Sequence, residues 1–75
     1  MKVKTLFFSV LREQLKKSEA VVEICEGETV ASLAQRLAGS PAFPLLFAVN
    51  QEYVARDYVL KEGDEVAFIP PVAGG

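Results

Sequence analysis

Gly74 and Gly75 end the sequence with a carboxylate on the one residue type that has no Cβ. An end built this way can enter a slot that a side chain would block. Before it, Pro70-Pro71 favours an extended exit by fixing φ and biasing the preceding residue away from helix. Val72-Ala73-Gly74-Gly75 then follows without a bulky polar group. Four residues span up to roughly 14 Å, enough to pass from one protein's surface into a buried site of another. Two terminal glycines arise by chance in roughly one chain in two hundred, although chain ends are often loose and glycine-rich. The expectation is a folded body over residues 1–71 and a projecting tail over 72–75.

Other chemistry is thinly supplied. The chain has no histidine and one cysteine, so the usual ligand sets for zinc and other transition metals cannot be assembled, nor can an internal disulfide. Glu23, Glu26 and Glu28 surround Cys25 in sequence, whereas a reactive thiol needs a nearby cation or a helix start. Cys25 therefore reads as a small apolar filler in a strand. A net charge of −2 offers no basic stripe for nucleic acid. No apolar run is long enough to span a bilayer, and no charged start precedes an apolar signal core, which points to the cytoplasm and away from membranes.

Seventy-five residues make one small domain, which buries about 60% of the surface of its unfolded chain and has little room for a catalytic cleft. Hydrophobic residues at 51% against 24% charged suit a folded chain. Lys2 to Val10, rich in β-branched and aromatic residues, reads as a strand. Leu11 and Leu15, four apart and followed by Lys16 and Lys17, suggest one or two helical turns. Ala20 to Cys25 reads as a second strand in a hairpin-like pairing with the first, and Glu26-Gly27-Glu28 as a turn. Thr29 looks like an N-cap for a main helix whose Val30, Leu33, Ala34 and Leu37 form one apolar stripe, with Gly39 at its stop.

Ser40-Pro41-Ala42-Phe43-Pro44 reads as a loop by its prolines, and Leu46 to Asn50 as a third strand. Gln51-Glu52 would turn into a short arm at Tyr53-Val54. Tyr58-Val59-Leu60 leads to the turn Lys61-Glu62-Gly63-Asp64, and Glu65 to Ile69 is the last strand. The order implies an α+β fold, a mixed sheet with one main helix on one face. Periodicity leaves the strand order open.

Alternation along the first and last strands makes both faces of the sheet apolar, and a single helix covers only one. Phe7, Val22, Ile24, Leu33, Leu37, Val49, Val66 and Phe68 are assigned to the core. Leu6, Phe8, Tyr53 and Ile69 are left on the open face, where large apolar patches usually mark a protein interface. An inverted register in one strand would exchange the two sets. Phe8, Tyr53, Ile69, Pro70 and Pro71 are the candidate partner interface.

Ala48-Val49-Asn50-Gln51, Glu62 to Ile69 and the ending Pro70 to Gly75 closely resemble the MoaD family, the small subunits of molybdopterin synthase, and Leu6-Phe7-Phe8 with Leu11-Arg12-Glu13 looks like that family's opening. The likeness covers nearly the whole chain, but between Lys16 and Phe47 it is one of pattern alone. It implies a β-grasp, ubiquitin-like fold and a sulfur-carrying role. An E1-like enzyme that consumes ATP would adenylate Gly75, and a sulfur donor protein would supply the sulfur of a thiocarboxylate. The tail Val72-Ala73-Gly74-Gly75 would then enter the large synthase subunit of a heterotetramer, where sulfur passes to a pyranopterin precursor to form the dithiolene of molybdopterin. The chemistry is coherent: a carboxylate with a pKa of about 3.5 is ionised at neutral pH and resists sulfur nucleophiles, so activation must come from outside. Gly74 and Gly75 contribute no acid, base or oxyanion donor beyond backbone, which implies a carrier with no bound cofactor and no metal. A diglycine tail also suits a thiamin-pathway sulfur carrier, a ubiquitin-like protein modifier, or an interaction module with an incidental tail.

Overall fold

The computed structural model describes residues 1–8, 10–39 and 45–70. The expectations placed on the loop 40–44 and on Pro71, Val72, Ala73, Gly74 and Gly75 lie outside those residues. The elements in chain order are β1 (Lys2–Phe7), α1 (Val10–Leu15), β2 (Glu19–Glu23), α2 (Val30–Ala38), β3 (Leu46–Val49), β4 (Glu52–Val54) and β5 (Glu65–Ile69). They form a five-stranded sheet of order β2-β1-β5-β3-β4. β1 pairs antiparallel with β2 and parallel with β5, while β3 pairs antiparallel with both β4 and β5. A mixed sheet with its first and last strands at the centre and a helix across one face is the β-grasp arrangement.

Val3, Thr5 and Phe7 point to the helix side of β1 and are buried. Val66 and Phe68 do the same on β5, and Val30, Leu33 and Ala34 bring the stripe of α2 onto them. Of the expected core, Phe7, Ile24, Leu33, Val49, Val66 and Phe68 are buried, and Val22 and Leu37 pack against them partly buried. Val3, Leu11 and Leu60 complete the cluster. Leu11 anchors the short α1, and Leu60 comes from a segment with no regular periodicity. Thr5, the one uncharged polar residue buried there among the described residues, donates its hydroxyl to Ala20 O at 2.9 Å.

The ends of α2 are closed locally. Thr29, at φ −93° and ψ 161°, caps it by accepting from Ser32 N–H. Gly39 at φ 70° ends it, its N–H donating to Gln35 O, a backbone conformation that glycine adopts without steric cost. The first-turn N–H groups of Val30 and Ala31 donate to Tyr58 O and Arg56 O. The orphan donors of a helix start are thus consumed by the chain's own 55–60 segment.

Three boundaries differ from the sequence reading. β1 stops at Phe7, and Val10 opens α1, because Phe7 N–H takes Ser18 O and the Leu11 N–H to Phe8 O bond already turns the chain. The hairpin turn falls on Asn50-Gln51, at φ 52° and 72°, and not on Gln51-Glu52. Cys25 is exposed and lies past the end of β2, so it fills no core position. Alternation explains it: Ile24 takes the core side, leaving its neighbour facing out.

Candidate functional site: the open face of the sheet

Residues directly paired across a sheet share a face, so the register defines what the helix leaves uncovered. One row runs Tyr53, Ala48, Ala67, Leu6 and Glu19 across all five strands. A neighbouring row holds Leu46 opposite Ile69, with Phe8 just beyond the end of β1. Leu6, Phe8, Ala48, Gln51, Tyr53, Glu65, Ala67 and Ile69 line an open depression of about 340 Å³.

The floor is made by two alanines paired directly between β3 and β5, and Tyr53 and Phe8 stand beside it at 73% and 42% exposure. Leu46, at 49% exposure, extends the apolar area along the end of β5. The expected face residues are therefore brought together: Leu6, Phe8, Tyr53 and Ile69 line one depression. Pro70 follows Ile69 half-buried, at the point where the chain leaves the sheet. The sequence reading missed Leu46, Ala48 and Ala67 as site residues. Alternation from Ile69 and Tyr53 would have placed them there had the pairing partners been known.

The charged margin lies toward the β2 side. Lys4 Nζ meets Glu19 Oε2 at 3.0 Å. Its ammonium pKa is raised above the model-compound 10.5, first by the hydrogen bond to Glu19 and the charge of that carboxylate, with Glu65 adding to it. Among the described residues that line the depression, the ionisable groups are the Tyr53 phenol and the Glu65 carboxylate.

Elsewhere the polar groups are spent on structure. Arg36 donates to Glu23 O at 2.8 Å and pairs with Glu28 at 3.0 Å, tying α2 to the end of β2. With its first-turn donors already engaged, the start of α2 has no free backbone N–H pair to offer a phosphate. Among the described residues no group of three or more His, Cys, Asp or Glu is arranged to hold a metal ion. Among the same residues no helix is long and apolar enough to cross a membrane.

Comparison with known proteins agrees with this architecture. The family described as the ThiS family matches residues 5–75. The molybdopterin synthase sulfur carrier subunit of Chlamydomonas reinhardtii is 42% identical, with 100% of both chains covered. The solved structure of a Pyrococcus furiosus protein assigned to molybdopterin converting factor, subunit 1, superposes with a TM-score of 0.84 at 30% identity, covering 96% of this chain and 99% of that one. A chain in the complex of subunits 1 and 2 of molybdopterin-converting factor from Helicobacter pylori has a TM-score of 0.67 at 23% identity over 100% of both chains, a likeness of fold. From its matched residues and its full-length relatives, the chain belongs to the ThiS family, among the molybdopterin synthase sulfur carrier subunits.

Proposed function

We propose that the chain carries sulfur on the carboxyl group of Gly75 for molybdopterin synthesis, with the open face of the sheet docking it to the proteins that load and unload it. The carboxylate oxygen attacks the α-phosphorus of ATP in an E1-like enzyme, releasing pyrophosphate and leaving an acyl adenylate. A persulfide on a donor protein then attacks the acyl carbon and displaces AMP, and a second thiol cleaves the S–S bond of the acyl disulfide so formed, leaving a thiocarboxylate and a disulfide. In the large synthase subunit that sulfur is transferred to the pyranopterin precursor. Gly74, Ala73 and Val72 give the tail clearance in a slot, and Phe8, Tyr53, Ile69, Pro70 and Pro71 form the docking surface.

The observation that carries this reading is one of position: the apolar depression adjoins the end of β5, the strand that leads into Pro70 and the diglycine sequence. A partner seated on that face meets the chain where it heads for the tail. The complex of subunits 1 and 2 described for the Helicobacter pylori protein supports a large subunit as one such partner.

Intact mass spectrometry tests the chemistry. Incubated with ATP, a matching activating enzyme and a sulfur donor, the full chain is expected to gain the mass difference between sulfur and oxygen, and Gly75 deletion is expected to abolish the gain. Absence of the gain with several competent activating enzymes would refute the carrier role. Slow-migrating conjugates dependent on Gly75 would identify a protein modifier instead, and rescue of a thiamin auxotroph alone would assign the chain to that pathway.

A further inference from the structure

Tyr53 is the most exposed member of the apolar face, at 73%, yet it sits on β4, a three-residue strand at the edge of the sheet. β4 pairs with β3, β3 pairs with β5, and Val54 of β4 packs against the core. The β3–β5 ladder ends at Val49 opposite Val66, and past it the turn that launches β4 and Tyr53 is tied to the start of β5 by further bonds.

The turn that joins β3 to β4 is a two-residue loop, Asn50-Gln51, with both residues at positive φ, the geometry that suits tight hairpins. Asn50 does more than turn the chain. Its side-chain amide donates to Asp64 Oδ1 at 3.0 Å, its side-chain oxygen accepts from Glu65 N–H at 3.1 Å, and its own N–H donates to Glu65 O at 2.8 Å. Asp64 is buried and is itself locked: its other carboxylate oxygen accepts from Lys61 N–H at 2.8 Å, and its carbonyl accepts from Lys4 N–H at 3.0 Å. A continuous set of bonds therefore runs from β1 through Asp64 to Asn50 and into the hairpin that ends in Tyr53.

We propose that Asn50 is a positioning residue for partner docking: latched to Asp64 and the start of β5, it holds the turn end of the β3–β4 hairpin so that Tyr53 keeps its place in the row with Ala48 and Ala67 on the open face. The inference rests on the docking role proposed above for that face. Asn50 itself touches no partner in this scheme. It acts through the placement of Tyr53.

The test uses the full chain and the large subunit of molybdopterin synthase, with affinity measured by calorimetry and the fold followed by NMR. Asn50→Asp loses the amide donor and sets a carboxylate against Asp64. It is expected to weaken affinity roughly tenfold, to shift the Tyr53 resonances, and to speed amide exchange in β3–β4 with β1–β2 unchanged. The double exchange Asn50→Asp with Asp64→Asn can remake the same contact with donor and acceptor reversed and the total charge conserved. It is expected to restore both the Tyr53 spectrum and the affinity. Thr29→Ala, which removes a cap on the opposite side of the sheet, lowers stability and is expected to leave affinity within twofold. The proposal is overturned if Asn50→Asp leaves affinity and the Tyr53 spectrum intact, if it affects them no more than Thr29→Ala, or if the double exchange fails to rescue while remaining folded. Tyr53→Ala separates the two levels. If it leaves affinity unchanged, the docking role of the face fails; if it weakens affinity while Asn50→Asp does not, the latch alone fails.

Discussion

Phe68 has no exposed surface, and its ring lies 6.0 Å from those of Phe7 and Phe47, edge-on to the second. Phe68→Ala is expected to cost ~3 kcal/mol or more, a large fraction of what so small a domain possesses, read as a fall in the urea midpoint. Phe8, on the other face and 42% exposed, has the opposite signature. Phe8→Asp is expected to leave the unfolding transition near wild type while reducing binding to the large synthase subunit. Unfolding instead would show that the open face is packed. Lys4 carries a pH signature of known sign. Its pKa is raised in the folded chain by Glu19, so the pair's contribution is fully present below the ordinary lysine value of 10.5 and fades as pH rises through the folded value. The stability difference between wild type and Lys4→Met is expected to be constant near neutrality, to shrink in strong alkali, and to diminish with added salt.

At the scale of elements, the single long helix shows how local signals and tertiary ones divide the work. Thr29→Ala removes the bond to Ser32 N–H, yet Val30 and Ala31 keep their carbonyl partners at Tyr58 and Arg56. The loss is therefore expected to fall at about 0.5–1 kcal/mol, the low end for an N-cap. Gln51 holds a left-handed φ of 72° without being glycine. Gln51→Gly relieves that steric cost and is expected to raise the thermal midpoint slightly. Thr29, Gly39 and the span of β5 were all legible in the sequence because capping, left-handed φ and period-two alternation are properties of neighbours along the chain. The end of β1 at Phe7 was not, since it depends on Ser18 capturing the Phe7 amide. The exposure of Cys25 was hidden for a related reason: its three acidic neighbours spoke to reactivity, whereas its facing follows from where Ile24 points. For the site, Phe8, Tyr53 and Ile69 were visible as large residues on the wrong parity for the core. Ala48 and Ala67 were not, because a small residue gains a role as a floor only from what stands around it.

For the whole molecule, the sheet order β2-β1-β5-β3-β4 could not be read from periodicity. Lys4 lies beside Glu65 and Phe7 beside Phe68, and a pairing across most of the chain leaves no local trace. Removing residues 72–75 is expected to abolish sulfur transfer, read by intact mass spectrometry.

The central place of β5 bears on synthesis. A nascent polypeptide that has delivered β1 to β4 from the ribosome still lacks the strand that bridges the β1–β2 pair to the β3–β4 pair, and non-local pairings of this kind form late. Closure must wait until Glu65 to Ile69 clears the exit tunnel. A stalled or prematurely terminated translation product would thus lack the strand that joins the two halves of the sheet, and with it the continuous row of residues across the open face.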